Sequence, residues 1–595
     1  MSEKGTVAAY TLNRLHEWGV DHIYGYPGDG INGFLGAFHE AGDQVRFIQT
    51  RHEEIASFAA TAHAKLTGEV GVCMATSGPG AIHLLNGLYD AKLDHQPVVA
   101  IIGQQKTFSM GTNYQQEVDL NTLFKDVASE FVQTCASPHS ARHLIDRAVR
   151  IAKARRSVTC VIFPSDIQEE SYSDPPAEHG AVFSSVGFNE PRVVPKDDDL
   201  RRATELLNGS ERVAMLIGQG AAGAADEVVE TANKLGCGVT KALNGRAALP
   251  DDLPFVTGSI GLLGTKPSHE MVMNCDTLFM VGTSFPYAEW LPRDGEKNAI
   301  QIDIDPGMIG SRYPLDVTLV GDAKETLRAL LPQLEHKKDR SWREHIESEV
   351  ERWSRILGER SQLEAEPINP QYVFHELSPR LPDRCILTAD SGSATNWWAR
   401  HLKLRAGMKA ALSGTLATMC PGVPYALAAK FAYPDRPVIA SLGDGAMQML
   451  GNNALVDVAR YWPEWSDPRC IVLVLNNHDL NQVTWEQRVL AGDPKTPATQ
   501  DLPDFNFAGY AELLGLKGIR VDAKDQVADA WDEALAADRP VVYEAITDPN
   551  VPPLPPHIKM EQAKKMGKAL LEGDEDRVAI AKQAAKGKLQ ELINR

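Results

Sequence analysis

Apolar residues in this chain gather into short uninterrupted runs set between segments of helical period. His22 to Tyr26, Gly71 to Ala75 and Pro97 to Ile102 read as strands, preceded by a helix through Leu12, Leu15 and Trp18. The pattern returns at Val213 to Ile217, Gly238 to Lys241, Thr277 to Val281 and Ala299 to Ile304. It returns again at Ile386 to Thr388, Val438 to Leu442, Ile471 to Leu475 and Val541 to Ala545. Unbroken apolar runs suit strands covered on both faces, and their alternation with helices is that of βαβ units. The expected fold class is α/β, with three doubly wound parallel-sheet domains.

Polar stretches mark the joints. Asp166 to Pro195 is polar and Pro-rich and reads as a linker, and the charged stretch Glu335 to Glu366 reads as a solvated helical connector. Val551-Pro552-Pro553-Leu554-Pro555-Pro556 cannot continue a helix and marks departure from the core. The expected domains are residues 1–180, 190–345 and 366–550, followed by a charged helical tail, 551–595. The tail's modest apolar stripe of Ile580, Ala584, Leu589 and Ile593 suits an arm packed on the body or on a neighbouring subunit better than a membrane contact.

Composition narrows the class without changing this picture. A chain of 595 residues exceeds one hydrophobic core and accommodates three domains of ordinary size. Its net charge of -19 argues against nucleic acid as a partner. The 8 cysteines are scattered, several within apolar runs and none in a C-x-x-C pair, which points to buried reduced thiols. The start lacks a signal peptide's apolar core and no run is long enough to span a bilayer, so a cytoplasmic protein is expected.

Two of the runs end in residues with chemical potential. Gly443-Asp444-Gly445 closes Val438 to Leu442, and Asn476-Asn477 closes Cys470 to Leu475. Buried strands of an open parallel sheet would thereby deliver a carboxylate and an amide to neighbouring loops at its carboxyl edge. Such oxygen donors suit a small hard cation such as Mg²⁺, for which Asp444, Asn477 and a backbone carbonyl would suffice. The glycines would let a diphosphate approach backbone N–H groups. Each motif alone is also ordinary turn chemistry.

Together with Gln482-Val483-Thr484-Trp485-Glu486 downstream, the pattern resembles the thiamine diphosphate signature of the pyruvate oxidase and acetolactate synthase superfamily. The resemblance extends over nearly the whole chain. It implies a first domain for the pyrimidine, a central FAD-type domain and a third for the diphosphate and Mg²⁺. Arg51-His52-Glu53-Glu54, leading into the apolar helix from Ile55 to Ala64, is similar to the family's catalytic glutamate motif. Glu53 is therefore expected to hydrogen-bond the aminopyrimidine, and Glu54, about 100° around the helix, to face elsewhere. Read alone, the acidic pair would be partners of the helix dipole. His52 is expected to be structural.

The resemblance further implies cofactor contacts from Pro27, Gly28, Thr76 and Asn86 in the first domain. In the third it implies them from Asp390, Ser391, Gly392, Ser393, Gly443, Gly445 and Ala446, and it gives Met419, beside Thr418, the role of bending the cofactor. Metal ligation falls to Asp444, Asn477 and Asp479. In the central domain Gly218, Gly220, Gly258, Gly282, Thr283, Ser284, Asp303, Asp305, Asp322 and Ala323 resemble flavin-binding positions of pyruvate oxidases. Such loops offer N–H groups to a pyrophosphate and carboxylates to ribose hydroxyls, although read alone they are turns.

Near the substrate, Gln116, Val483 and Glu486 keep the family's residue types, while Gln115, Asn481 and Gln482 depart from them. Added amides disfavour an apolar substrate, since each one left unpaired costs on the order of 1 to 3 kcal/mol. The implied reaction is decarboxylation of a pyruvate-like 2-oxo acid with electron transfer to FAD and then oxygen or a quinone. An acetolactate synthase-like carboligase or a diketone-cleaving lyase, with non-redox or absent FAD, is the alternative. The family's shared sites imply a homodimer at minimum and a homotetramer beyond it.

Overall fold

The computed structural model describes residues 5–42, 44–553, 555, 557, 560–583 and 585. The chain divides into two compact units. One comprises Met1–Glu190, Ala411–Ala440 and Ala446–Cys470; the other comprises Pro191–Ala410, Ser441–Gly445 and Ile471–Arg595. Ala584, Leu589 and Ile593 of the expected tail stripe lie outside the described residues, as do Leu554 and Pro556 and the first four residues.

Three six-stranded sheets organise the chain. The first is built from β1 (His22–Gly25), β2 (Arg46–Gln49), β3 (Gly71–Ala75), β4 (Val98–Gln104), β5 (Val132–Thr134) and β6 (Val158–Pro164), in the order β2-β1-β3-β4-β6-β5. The second holds β7 (Val213–Ile217), β8 (Gly238–Lys241), β9 (Val256–Ser259), β10 (Thr277–Val281), β11 (Asn298–Asp303) and β12 (Val317–Val320), in the order β12-β11-β10-β7-β8-β9. The third holds β13 (Ile386–Ala389), β14 (Lys409–Ala411), β15 (Val438–Gly443), β16 (Cys470–Asn476), β17 (Lys517–Val521) and β18 (Val541–Ile546), in the order β14-β13-β15-β16-β18-β17. The sheets are parallel and flanked by helices, the α/β architecture that the apolar runs imply.

Burial explains the unbroken runs. In β7, Val213, Met215 and Ile217 enter one hydrophobic core while Ala214 and Leu216 enter another. In β10, Phe279 and Val281 join the first core and Leu278 and Met280 the second. A strand apolar on both faces shows no alternation, because helices cover each side.

The strand orders fix where ligands can sit. In each sheet the chain winds outward in one direction, returns, and winds in the other, leaving a crevice at the carboxyl ends where the direction reverses. That point lies between β1 and β3, between β7 and β10, and between β13 and β15.

Strands without a clear apolar signature are β5, β9, β12, β14 and β17, all at sheet edges or ends of the strand order. Residues of β5, β12, β14 and β17 alternate or are half-buried, so pairing rather than hydrophobicity makes them strands, while β9 is short and mostly buried. The connector departs from the expectation of a solvated helix. Ser341–Ser361 is helical, but Ile346 and Trp353 are buried and Arg343 reaches through to the Ala232 carbonyl at 2.7 Å. In the tail, Met560–Leu571 is helical and Ile580 is buried. Among the described residues no helix is long and apolar enough to cross a membrane. All eight cysteines are buried and none forms a disulfide.

Two glycines set the helix Glu53–Thr67 against its neighbours. A Cβ at Gly71 would lie 2.0 Å from the Ala60 carbonyl oxygen, and one at Gly87 would lie 2.2 Å from Ser57 Oγ. Gly71→Ala is therefore expected to destabilise the protein by about 1 to 3 kcal/mol through overpacking. Gly36→Ala, in the helix Asn32–Ala41 with nothing within 4 Å of its new methyl, is expected to stabilise by about 0.4 to 1 kcal/mol. Denaturant melts of the two variants check the contrast.

Candidate functional site

The helix Glu53–Thr67 follows β2 after a turn of three residues. Thr50 Oγ1 donates to the His52 carbonyl at 2.9 Å, and His52 Nδ1 accepts the Glu54 N–H at 3.1 Å, so His52 is the N-cap. Arg51 is tied by its N–H and Nε to the buried Asp457, at 3.0 and 3.1 Å. Burial pushes the Asp457 carboxyl up to about 7, with Arg51 opposing it. This clamp fixes the turn from which Glu53 is presented.

Glu53 itself is 7% exposed. Its Oε2 lies 3.0 Å from His83 Nδ1, and the His83 ring stacks on His52 with centroids 4.5 Å apart. A Cβ at Gly80 would stand 3.1 Å from Glu53 Oε1, and one at Gly28 would stand 2.6 Å from Thr76 Cβ. Thr76 Oγ1 accepts the Gly30 N–H at 2.9 Å. The glycines thus let the loops after β1 and β3 close together around Thr76 at the first switch point, with Pro27 and Gly28 half-buried beside them. Gln116 joins this cluster, since a Cβ at Gly78 would lie 2.9 Å from Gln116 Cβ. Gln115 is exposed.

Glu54 does face elsewhere. Its Oε1 accepts Asn86 Nδ2 at 2.6 Å, and the same amide nitrogen is 3.1 Å from Thr418 Oγ1. Asn86 therefore links the helix start to the loop that carries Met419. That loop is strained: Ala417 and Cys420 have φ of 52° and 91°. It is held upstream by Asp94, which accepts the N–H groups of Gly414 and Thr415 at 2.9 Å, and by Lys65 Nζ, which bonds Asp94 and the Leu412 carbonyl at 2.7 Å. No sequence pattern marked His83, Asp457 or Lys65; each is a polar residue on or beside an apolar helix, ordinarily read as surface.

In the second unit, the ends of β13, β15 and β16 carry the predicted diphosphate and metal residues. Asp444 is 3% exposed; its Oδ2 accepts the N–H groups of Asn477 and His478 at 2.9 and 2.7 Å, and its Oδ1 that of Gly445 at 2.9 Å. Burial pushes its pKa up to about 6, and nearby Asp479 adds to the rise. A buried carboxylate beside a second one fits a divalent cation. The Asp479 side chain is otherwise engaged: Oδ1 accepts Thr484 Oγ1 at 2.8 Å and Oδ2 accepts Asn481 Nδ2 at 3.1 Å. Its carbonyl accepts the Asn481 N–H at 2.7 Å.

At the end of β13, Asp390 is buried and its Oδ1 accepts the Ser391 N–H at 2.9 Å. Gly392, with φ of 127°, turns the chain into the helix Ser393–His401. Gly443 and Ala446 flank Asp444 at the other side of this switch point.

Gln482 and Glu486 stand one turn apart on the helix Asn481–Glu486 and bond at 2.8 Å, while Asn396 Nδ2 donates to Gln482 Oε1 at 2.9 Å. The Gln482 amide is already paired at both ends, so it adds little to the cost of an apolar substrate. Val483 is 51% exposed on the same helix.

The central sheet's switch point is lined by glycines that pack on one another. A Cβ at Gly218 would lie 2.5 Å from the Gly282 carbonyl oxygen, and one at Gly220 would lie 2.8 Å from Gly282 Cα. Thr283 and Ser284 follow. Asp303 Oδ1 accepts the Asp305 N–H at 3.0 Å and Asp305 Oδ1 the Gly307 N–H at 2.8 Å. Asp322 caps the helix Ala323–Leu330. Gly258 lies on the edge strand β9, two strands from β7 and outside this crevice. In the loop after β10, the Tyr287 phenol is raised by burial first, with Glu289 and Glu486 adding to the rise.

Comparison with known proteins agrees in all three segments. Residues 5–123, 200–330 and 390–545 match the N-terminal TPP binding domain, the central domain and the C-terminal TPP binding domain of thiamine pyrophosphate enzymes. The chain is 38% identical over 558 residues to Bacillus subtilis YdaP, provisionally designated thiamine pyrophosphate-containing, covering 94% of each chain. It is 31% identical to the pyruvate oxidase of Lactiplantibacillus plantarum, over 90% of this chain and 88% of that protein. It is 30% identical to the acetolactate synthase of Mycobacterium bovis, over 91% and 88% respectively.

A metal held by Asp444 would need the ionised carboxylate, so Mg²⁺ affinity is expected to be level above about pH 7 and to fall about tenfold per unit below the raised pKa of about 6. Calorimetric titration of Mg²⁺ at pH 5 to 8 in the presence of thiamine diphosphate reads this directly, and Asp444→Ala should abolish the binding.

Proposed function

The chain belongs to the thiamine pyrophosphate enzymes, in the superfamily of pyruvate oxidase and acetolactate synthase, and from that premise we propose that it is an oxidase. It decarboxylates a pyruvate-like 2-oxo acid and passes two electrons to FAD and then to oxygen or a quinone. Bound in their crevices, thiamine diphosphate supplies a carbon nucleophile and FAD an electron acceptor; the chain supplies position, charge and proton transfer.

The carrying observation is the buried carboxyl of Glu53, clamped at a helix start with the Gly80 backbone close to its Oε1. It would hold a proton for the pyrimidine nitrogen opposite the amino group. Asp444, Asn477 and the Asp479 carbonyl would hold Mg²⁺, and the N–H groups around Gly392 and Gly445 would face the diphosphate. Gln482 and Glu486 would orient the 2-oxo acid, with Glu486 able to take and return a proton. For FAD, the support is the glycine-lined crevice between β7 and β10. A cytoplasmic homodimer, or a homotetramer built from it, completes the proposal.

The carboligase reading keeps one observation in its favour, the exposed amide of Gln115 where the family usually has phenylalanine. The two separate in one experiment. Adding pyruvate without oxygen to the purified holoprotein should bleach the flavin bands, and Glu53→Gln should retain its flavin but not bleach. A flavin that stays oxidised while pyruvate is consumed would favour the carboligase.

A further inference from the structure

Arg488 is among the largest fully buried side chains, yet none of the chemistry above uses it. It lies in the turn Gln487–Ala491 that directly continues the helix bearing Gln482 and Glu486. Its guanidinium forks onto one carboxylate of the C-terminal arm: Nε to Asp574 Oδ2 and Nη2 to Asp574 Oδ1, both at 2.8 Å. Nη2 also reaches Asp576 Oδ2 at 2.8 Å. Asp574, itself fully buried, accepts the N–H groups of Lys495 at 2.9 Å and Asp576 at 3.0 Å.

Apolar contacts join the same two segments. Trp485 and Val489 are buried with Ile580 of the arm, and Met566 and Leu570 pack against them. Lys565 Nζ donates to the Leu490 carbonyl at 2.9 Å. Trp485, Arg488 and Val489 follow helical spacing and form a stripe separate from Gln482, Val483 and Glu486. The arm therefore grips one side of this segment and leaves the other free.

A fully buried ion pair adds little net stability compared with an apolar pair of the same volume, but a planar fork on a carboxylate fixes orientation. We propose that Arg488 is a positioning residue for the stripe Gln482, Val483 and Glu486, and that Asp574 of the C-terminal arm is its anchor. The arm is then part of the support of the substrate-facing helix. This rests on the reading that the stripe faces the 2-oxo acid.

The test uses full-length holoenzyme and anaerobic flavin reduction by pyruvate, with Asp574→Asn, Arg488→Lys and the double apolar replacement Arg488→Met/Asp574→Leu. Each should raise the half-saturating pyruvate concentration at least tenfold while thiamine diphosphate affinity and flavin content stay within twofold. The double variant should recover the melting temperature without recovering pyruvate saturation. Amide exchange in residues 481–491 should rise in Asp574→Asn, a readout that does not depend on the substrate chosen. Unchanged saturation and exchange in a folded Asp574→Asn protein would overturn the proposal, and so would full kinetic recovery in the apolar double variant. Silent Gln482→Ala and Glu486→Gln variants would overturn it by removing the stripe's role, and that result identifies the site reading as the part that failed.

Discussion

A carboxyl group kept at the start of a helix and out of water is the constraint around which the first unit is arranged. Burial of an acid is costly unless its surroundings fix what it meets. Here the turn before Glu53 is capped by His52, tied by Arg51 to Asp457 and roofed by His83, while Gly71 and Gly87 let neighbouring backbone approach the rest of the helix. Glu54, one residue on, is turned through Asn86 to Thr418, so the same helix start also reaches the strained loop around Met419.

The three sheets solve one problem three times. A doubly wound sheet leaves its loops open where the winding reverses, and glycines at those loops admit either a ligand or another backbone. At the first switch point they serve Thr76 and the approach to Glu53; at the third, Gly392 turns the chain beside Asp390 and Gly443 precedes Asp444. In the central sheet Gly218, Gly220 and Gly282 press on one another and their N–H groups donate to the Val281, Gly282 and Ile302 carbonyls, so their role there is loop against loop.

Interior strands and motif residues were legible in the sequence because each has a local signal. An interior strand is a continuous apolar run, and Gly443-Asp444-Gly445 stands directly at the end of one, while His52-Glu53-Glu54 opens the apolar helix from Ile55 to Ala64. Edge strands such as β12 and β14 carry no such run, since pairing on one side is what holds them. Residues whose importance comes from distant partners were silent: His83 by Glu53, Lys65 by the loop at Leu412, Asn396 by Gln482, Arg488 by Asp574. The charged connector misled because charge count hides one buried face, with Ile346 and Trp353 beneath the charges. Asp479 is given a metal role by the resemblance alone, and the sequence does not show that Thr484 and Asn481 hydrogen-bond its carboxylate.

The proposed chemistry requires Glu53 to be the proton partner of the bound pyrimidine. The direct measurement is hydrogen–deuterium exchange at the thiazolium C2 of bound thiamine diphosphate, followed by acid quench and NMR, in the wild-type protein and in Glu53→Gln. The variant is expected to bind the cofactor and to exchange about 100-fold more slowly or worse. Exchange within about twofold of wild type, in a variant with the cofactor bound, would contradict it.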